Sequence, residues 1–302
     1  MKERLIEFCN SIGIEYVGIA SSSPCYDLKD ILENRIKRGQ AYPFEKGSLE
    51  RMIYPNLTLE DAKSIIVCLF PYYCGTHEGA NLAKYAYSLD YHGIIRKKLD
   101  IIGMYLKENI KEFEYKAFVD TGPLNERYLA YKAGLGFYGI NSHIINDKYG
   151  SYVFIGYIVN NYPFEPDKPQ EITCLRCLNC VKKCPGQCIM GDFSINPFRC
   201  KSYITQKKEE LSEEDINILR KNSLIWGCDV CQDVCPHNEK AEKTILDEFK
   251  QNLKYKIEYD ELMKISNKEF LRRYGDRAFS WRGKGVLQRN LEVMHELKTD
   301  DE

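Results

Sequence analysis

Cys174-Leu-Arg-Cys177-Leu-Asn-Cys180-Val-Lys-Lys-Cys184-Pro185 is the stretch of this sequence that decides its fold. The spacing is C-x2-C-x2-C-x3-C-P, at which cysteine thiolates hold iron–sulfur clusters. Three of these thiolates can bind three corners of a cubane, and the fourth binds the other cluster in two-cluster proteins. We therefore predict a module with two 4Fe-4S clusters.

A second cysteine array supplies further cluster ligands. Cys228-Asp-Val-Cys231-Gln-Asp-Val-Cys235-Pro236 has the spacing C-x2-C-x3-C-P and lacks one cysteine, which Cys200 can supply. Because the fourth cysteine crosses over, one cluster is expected on the first cysteine set: Cys174, Cys177, Cys180 and Cys235. The other cluster is expected on the second cysteine set: Cys184, Cys200, Cys228 and Cys231. The predicted module is ferredoxin-like and conducts single electrons.

Two structural zinc sites are the alternative, because two C-x-x-C knuckles can build a zinc ribbon. Zinc explains neither the third cysteine of the first run nor the two Cys-Pro endings. The cysteines outside the pattern are expected to be small buried hydrophobes or inert thiols: Cys9, Cys25, Cys68, Cys74 and Cys188.

The composition favours a protein of a reducing compartment. Clustered C-x-x-C runs in a chain without a signal peptide indicate metal rather than disulfides. The net charge of the 302 residues is −1, so the overall charge of the chain does not attract nucleic acid or a membrane. No stretch approaches the roughly 20 apolar residues that span a bilayer. We expect a soluble, cytoplasmic monomer.

The region before the cysteines predicts strands that alternate with helices. We expect a helix and a strand over 1–20, a strand buried on both faces over 64–73, and a helix over 90–113. A strand over 115–120, a helix over 124–134 and a hairpin around 148–150 follow. The predicted fold class is α+β, with an α/β-like N-terminal domain over 1–165, the double-cluster module over 166–242 and a short helical, basic tail over 243–302.

Several motifs in these regions have more than one interpretation. The glycines of Gly134-Leu-Gly136-Phe-Tyr-Gly139 follow a helix, so we expect a helix cap and a tight loop rather than a dinucleotide site; close approach to a planar cofactor is their other possible use. Asp120 and Asp90 have the positions of a turn residue and a helix N-cap. The tail can either contact RNA or pack on the cluster module through its aromatic residues; its basic and aromatic residues are Arg272, Arg273, Tyr274, Arg277, Phe279, Trp281, Arg282, Lys284 and Arg289.

Read together, five further segments and both arrays resemble the epoxyqueuosine reductase family, cobalamin-dependent iron–sulfur enzymes of the queuosine pathway. The segments are AKYAYSLDYHGIIRKKL (83–99), FVDTGPLNERYLAYKAGLGFYGINSHII (118–145), YGSYVFIGYI (149–158), RCKSYIT (199–205) and FSWRGKGVLQRN (279–290). The resemblance implies an N-terminal domain that binds base-off cobalamin, and clusters that feed electrons to cobalt. It also implies that the reduced cobalt removes the epoxide oxygen of a modified nucleoside in tRNA.

The resemblance also implies roles for particular residues. Asp120 matches the family's proton donor beside the cofactor, and Arg127 matches an arginine that contacts tRNA. The pocket segment is matched by Asp90, Tyr91 and His92, and the backbone against the corrin by the stretch from Ile144 to Asn146. To donate a proton, Asp120 would need a pKa raised by burial or by the neighbouring Asp90 carboxylate.

The chain also departs from the family pattern. Ile140 replaces a lysine, Lys84 an arginine and His237 a tryptophan, and longer members continue into a helical-repeat domain. Two other functions remain open from the residues: a corrinoid reductase acting on another substrate, resembling reductive dehalogenases or activators of corrinoid proteins, and a ferredoxin-type electron carrier. We expect an unidentified low-potential electron donor as a partner, besides tRNA.

Overall fold

The computed structural model describes residues 1–41 and 48–300, and their side chains as far as His295. Its main sheet has four strands in the order β1-β2-β6-β3: β1 (Tyr16–Ser21), β2 (Ser64–Pro71), β6 (Val153–Asn160) and β3 (Tyr115–Val119). Every pairing in this sheet is antiparallel. The predicted α+β class is therefore confirmed.

Helices cover both faces of the sheet. In chain order they are α1 (Lys2–Ser11), α2 (Tyr26–Lys37), α3 (Leu49–Ile53), α4 (Tyr91–Asn109), α5 (Glu126–Lys132), α6 (Asn179–Lys183), α7 (Lys201–Ile204), α8 (Glu213–Leu219), α9 (Val230–Asp233), α10 (Tyr259–Lys264), α11 (Asn267–Tyr274) and α12 (Lys284–Asp300). None of the described helices combines the length and the apolar character needed to cross a membrane.

β2 is the centre of the core, and all its residues are buried. Because side chains alternate along a strand, Ile66, Cys68 and Phe70 pack toward α1 and α4. The intervening residues Ile65 and Val67 pack on the opposite face, against α5. Complete burial of such a side chain contributes roughly 1.5–3 kcal/mol of transfer free energy, so this apolar strand holds the two layers together.

The predicted hairpin around 148–150 is wrong. The short strand β5 (Ile144–Ile145) pairs with β4 (Phe137–Tyr138) in a separate two-stranded sheet, whereas β6 joins the main sheet. Only an isolated bridge between Asn146 and Gly150 closes the turn between β5 and β6. β6 pairs with β2 and β3, which are distant in sequence, and no local turn signal reports such pairing.

Two predicted helix ends are confirmed. The Asp90 side chain caps α4 by accepting a hydrogen bond from the backbone N–H of His92 at 3.0 Å. Gly134 follows α5 with a φ of +69°, the left-handed conformation that glycine adopts without a steric penalty. Gly136 lies against the neighbouring strand, since a Cβ there would meet the carbonyl oxygen of Ile145 at 2.5 Å.

The segments after the cysteine arrays pack back onto earlier parts of the chain. Leu246 and Phe249 belong to the same apolar cluster as β2. Trp226 is fully buried with Phe279 from the tail, in a cluster that also includes Leu82. The domain boundaries predicted from the sequence stay predictions.

Candidate active site and cysteine sets

The first cysteine set surrounds a cavity between the cysteine module and the β4–β5 sheet. Its four cysteines line the cavity together with Ile140, Asn141, Ile145 and His237. The thiol of Cys180 interacts electrostatically with those of Cys174, Cys177 and Cys235. In the exposed loop of Cys177, Arg176 and Leu178 have φ angles of 53° and 60°, so the backbone turns tightly around the cavity.

The second cysteine set is more enclosed. Burial raises the pKa of the Cys231 thiol, and the charges of Cys228, Cys200 and Cys184 raise it further. These four side chains are therefore close enough to influence one another. The structure thus brings together the four members of each set, and their role as cluster ligands stays a prediction.

Cys188 lies beside the second cysteine set as a fifth cysteine. Its Sγ is 3.4 Å from the Sγ of Cys184, and its backbone N–H donates to the same sulfur at 3.3 Å. Hydrogen bonds from Cys188 lower the pKa of Cys184 to about 6 and that of Cys200 to about 7. Cys188 is buried, as expected of a packing thiol, but it also contacts predicted ligands, which its position in the sequence did not indicate.

The residues that line the cavity of the first cysteine set fit an iron–sulfur cluster. His237 lines the cavity of the first set, and its buried Nε2 has no hydrogen-bond partner. An imidazole nitrogen that can donate and an apolar lining suit cluster sulfurs, which accept hydrogen bonds. Among the described side chains, no three His, Cys, Asp or Glu residues form a group that could hold a single metal ion.

Asp120, His92 and Asp90 form a hydrogen-bonded chain. The His92 Nε2 is 3.2 Å from the Asp120 Oδ2, and its Nδ1 is 2.7 Å from the Asp90 Oδ1. The Tyr91 hydroxyl donates to the same oxygen of Asp120 at 2.9 Å. α4 presents Tyr91 and His92 from its first turn, and β3 ends just before Asp120, so the fold brings these groups together.

The backbone of Asp120 is strained. Its φ is 56°, a conformation that side chains other than glycine rarely adopt. The preceding strand ends in a tight turn, in which the backbone N–H of Thr121 donates to the carbonyl of Val119 at 2.6 Å. Such strain is often found at functional positions, where the surrounding structure enforces it.

The expected rise in the pKa of Asp120 does not occur. Burial opposes its charge, but hydrogen bonds from His92 and Tyr91 outweigh burial and lower its pKa below the usual value. For His92, burial favours the neutral ring, but hydrogen bonds to Asp120 and Asp90 raise its pKa to about 9. Since the Asp120 side chain is 55% exposed, water screens part of these effects. At neutral pH the proton is held by His92, and Asp120 is ionised.

Asp90 and Asp120 therefore do not share a proton directly, as the sequence suggested they could. The His92 ring lies between them and hydrogen-bonds to both. Two carboxylates stabilise one imidazolium, which is the reverse of a carboxylate pair that raises a carboxyl pKa.

Glu126 is a further titratable group that the sequence analysis missed. It is the first residue of α5, where an acidic side chain is ordinary, so no sequence signal distinguished it. Its residue surface is partly accessible, but its Oε1 is buried and has no hydrogen-bond partner. Burial and the charge of Asp120 raise its pKa to about 8.

Arg127 links this site to the cysteine module. Its Nη1 donates to the carbonyl of Ser142 at 3.0 Å, and the Ser142 hydroxyl donates to the carbonyl of Phe193 at 2.8 Å. The guanidinium of Arg176 lies 5.1 Å from the centre of the Phe193 ring. These contacts lead from Arg127, whose charge lowers the pKa of Asp120, to the loop that carries Cys177.

The segment predicted to lie against the corrin has buried side chains. Ile144 and Asn146 are only 3% and 1% exposed as whole residues, so their backbone is covered as well. The Asn146 side chain holds the turn, since its Oδ1 accepts from the backbone N–H groups of Lys148 and Tyr149. The neighbouring residues Asn141 and Ile145 line the cavity of the first cysteine set. The role of this stretch toward the corrin therefore stays a prediction.

A buried ion network joins the second cysteine set to the N-terminal region. The Lys84 Nζ is 2.7 Å from the Asp233 Oδ1 and 3.7 Å from the Asp229 Oδ2. The Tyr152 hydroxyl donates to the same oxygen of Asp233 at 2.6 Å. Lys84 and Asp229 are almost fully buried, and the Oδ1 of Asp229 has no partner.

Most basic residues of the tail are engaged within the protein. Arg272 and Arg273 pair with Glu269, and Arg289 donates to backbone carbonyls of residues 207 and 209. Phe279 is fully buried, in agreement with packing on the cluster module, whereas Trp281 is 52% exposed. The guanidinium of Arg282 stacks 3.8 Å from the centre of the Trp281 ring.

Two family models match the chain. The model described as "4Fe-4S double cluster binding domain" matches residues 173–238, and the one described as "Epoxyqueuosine reductase QueG, DUF1730" matches residues 53–121. The first range contains all eight cysteines of the two sets, and the second contains Asp90, Tyr91, His92 and Asp120.

Curated relatives match almost the whole chain. The epoxyqueuosine reductase of Listeria monocytogenes is 35% identical, over 97% of this chain and 80% of the relative. That of Bacillus subtilis is 34% identical, over 96% of this chain and 77% of the relative. The epoxyqueuosine reductase of Cyclobacterium marinum is 31% identical, and 94% of each chain is covered.

Solved structures agree with this assignment. An epoxyqueuosine reductase in complex with an epoxyqueuosine-modified tRNA-Tyr stem loop superposes with a TM-score of 0.92 at 33% identity, over 97% of this chain and 80% of the other. The Bacillus subtilis enzyme, in a structure with its catalytic aspartate loop swung out of the active site, has a TM-score of 0.91 at 32% identity, with the same coverage. With nearly full-length relatives above 30% identity, the chain belongs to the epoxyqueuosine reductase family.

Proposed function

We propose that this chain reduces epoxyqueuosine to queuosine in tRNA, in the cytoplasm, with electrons from a low-potential donor. It is an oxidoreductase with two 4Fe-4S clusters and cobalamin as cofactors. The observation that carries the proposal is the chain Asp90–His92–Asp120, which holds a proton at neutral pH. A plain electron carrier needs no such proton store.

The reaction requires both electrons and protons. Opening the epoxide and releasing its oxygen as water, with formation of a carbon–carbon double bond, consumes two electrons and two protons. The clusters on the two cysteine sets carry electrons one at a time. Cobalamin, when bound, supplies the reduced cobalt that opens the epoxide.

The proposed task of Asp120 is to pass a proton to the epoxide oxygen. His92 holds this proton between two carboxylates, and Asp120 is the carboxylate that is more accessible to a substrate. Asp90 fixes the ring through Nδ1, so that Nε2 faces Asp120. Tyr91 orients the Asp120 carboxylate through its hydroxyl. Transfer from His92 through Asp120 to oxygen is general acid catalysis.

Arg127 is proposed to contact tRNA. It is exposed, and the contact of its Nη1 with the carbonyl of Ser142 fixes one side of the guanidinium. The remaining donors can bind phosphate or a base edge. The backbone from Ile144 to Asn146 is proposed to lie against the corrin.

Turnover of epoxyqueuosine-containing tRNA tests the proposal. The purified chain is reconstituted with iron, sulfide and cobalamin and supplied with a chemical reductant, and queuosine is measured in digested tRNA. Conversion by the wild-type chain is expected, and Asp120→Asn should lower the rate by about 10²–10⁴-fold. The matched control is Asp100→Asn, which changes a carboxylate on the outer surface of α4.

Iron, sulfide and cobalamin content are measured in every variant. Failure of the loaded wild-type chain to convert the tRNA would refute the proposed substrate. Failure to retain cobalamin on gel filtration would favour an electron carrier. Full activity of Asp120→Asn would refute the role given to Asp120.

A further inference from the structure

Cys188 lies directly beside a predicted ligand of the second cysteine set. Its Sγ is 3.4 Å from the Sγ of Cys184, and its backbone N–H donates to that sulfur at 3.3 Å. Both residues are buried, so solvent does not separate the two thiols. The second set is therefore a group of four predicted ligands with a fifth thiol in contact with one of them.

The backbone holds Cys188 in this position. The N–H of Gln187 donates to the carbonyl of Cys184 at 3.1 Å and closes a turn, in which Gln187 has a φ of 50°. This turn directs the N–H of Cys188 toward the Cys184 sulfur. On its other side, the carbonyl of Cys188 accepts from the backbone N–H of Asn196 at 2.8 Å. The main chain on both sides of Cys188 thus keeps its thiol next to Cys184.

The same turn packs against the segment that leads to Cys200, another member of the second set. The Nε of Arg199 donates to the carbonyl of Gly186 at 2.9 Å, and a Cβ at Gly186 would meet the carbonyl oxygen of Arg199 at 1.7 Å. Only glycine permits this close approach of two backbone segments. One group of packed apolar side chains contains Cys188 and three members of the second set: Cys184, Cys200 and Cys231.

These distances place Cys188 within reach of a metal bound to Cys184. A metal–thiolate bond is about 2.3 Å long, so two sulfurs 3.4 Å apart can both reach one metal ion. Thiolates are the ligands of 4Fe-4S clusters. Burial alone suits a packing thiol, but the contact with a predicted ligand gives Cys188 access to the same iron. Among the described residues that line the cavity of the first set, the only cysteines are its own four members.

We propose that Cys188 is a reserve ligand of the second 4Fe-4S cluster, which binds the iron of Cys184 when that thiolate is lost. The inference depends on the predicted second cysteine set and goes beyond the proposed function. In the exchange, the Cys188 thiol gives up its proton and its sulfur forms a bond to the iron, while the bond from the iron to the Cys184 sulfur breaks. The proton passes to the Cys184 thiolate, and no electron is gained or lost. Four thiolates hold the cluster before and after the exchange.

The iron and sulfide content of single and double variants tests the exchange. Each purified chain is reconstituted with iron and sulfide without oxygen, and the wild-type chain should hold about 8 iron atoms. Cys184→Ala should also keep about 8, because Cys188 replaces the lost thiolate. Cys184→Ala/Cys188→Ala should fall to about 4–7, since a cluster with three thiolates is either lost or kept as a three-iron form. EPR of the oxidised protein detects the three-iron form.

Cys180→Ala in the first set is the matched control. Cys180 and Cys184 are 9% and 8% exposed, so the two substitutions remove equally buried thiols. Because the cavity of the first set has no fifth cysteine among its described lining residues, Cys180→Ala should lose iron as the double variant does. Cys188→Ala should keep both clusters, since all eight predicted ligands stay in place.

Equal iron loss in Cys184→Ala and in the double variant overturns the inference. Equal retention of iron in both also overturns it, because another group then supplies the fourth bond. If Cys184→Ala does not fold, Cys184→Ser replaces it and is analysed by Mössbauer spectroscopy. An iron with an oxygen ligand then refutes the inference, and a cluster bound only by sulfur supports it.

The experiment also separates this inference from the proposed function. A wild-type chain that does not hold two clusters refutes the predicted ligand sets and the role of Cys188 together. A wild-type chain that holds both clusters but does not convert the tRNA refutes the proposed function alone, because iron content and EPR do not depend on the substrate.

Discussion

The pKa of His92 gives a direct measure of the electrostatics on which the proposed chemistry depends. Asp120→Asn removes one of the two carboxylates that hydrogen-bond to its ring and preserves the size of the side chain. The other carboxylate, Asp90, stays 2.7 Å from Nδ1. The substitution therefore isolates the contribution of Asp120 to the charge of the imidazole.

The size of the effect follows from the structure. The pKa of His92 is raised from 6.5 to about 9, although burial acts in the opposite direction. An opposite charge within hydrogen-bonding distance shifts a pKa by about 1–3 units, and the lower end applies here because Asp120 is more than half exposed. We expect the pKa of His92 to fall by about 1 unit in Asp120→Asn.

The assay is a titration of the imidazole signals of the apoprotein by ¹H–¹⁵N NMR. The chain has five histidines, and loss of a signal in His92→Gln identifies the relevant one. Asp100→Asn is the control and should leave the pKa unchanged. If the pKa of His92 stays at about 9 without the Asp120 carboxylate, the reasoning about this hydrogen-bonded chain is wrong.

The same shift has a consequence for stability. Because the pKa in the folded state lies above the unfolded value, the interaction stabilises the fold fully below pH 6.5 and is lost as the pH rises toward about 9. In Asp120→Asn this pH-dependent loss should be smaller and should end at a lower pH. Urea unfolding of the apoprotein across this window measures the difference.

Two further substitutions test the surroundings of the second cysteine set. Lys84→Met leaves the buried Asp229 without a cation and should lower the free energy of unfolding, measured in urea, by about 3–5 kcal/mol. Lys84→Arg should keep most of this free energy. A loss below about 1 kcal/mol in the Met variant would contradict the pairing. Cys188→Ala removes a thiol that hydrogen-bonds to Cys184, a predicted ligand of the second cluster. Because such bonds raise a cluster's reduction potential, loss of one worth about 1 kcal/mol should lower this potential by on the order of 40 mV. Potentiometric EPR measures this fall, and an unchanged potential would show that Cys188 only packs.

The parts of the fold that the sequence predicted are those with a local cause. The buried strand β2 follows from a continuous apolar run, and the start of α4 follows from Asp90 as a capping residue. The separate sheet of β4 and β5 has no such cause. Each of these strands has two residues, and their pairing depends on how Gly136 and Ile145 meet, which is tertiary packing.

The cysteines and the acid groups differ in the same way. Ligand spacing is a local property, so the arrays could be grouped into sets from the sequence alone. The charge states around Asp120 could not be predicted in this way. His92 and Asp120 are 28 residues apart, and only the fold places the ring between two carboxylates and buries one oxygen of Glu126.

The arrangement as a whole has a consequence for the order of events in a turnover. Each of two 4Fe-4S clusters carries one electron, and at neutral pH His92 holds one proton beside an ionised Asp120. The protein would then store, before the substrate binds, both electrons and one of the two protons that one epoxide consumes. A bound tRNA would cover the exposed carboxylate of Asp120 and slow proton exchange with water. We therefore expect a single turnover to begin from the proton already held by His92, and reprotonation of His92 to follow release of the tRNA.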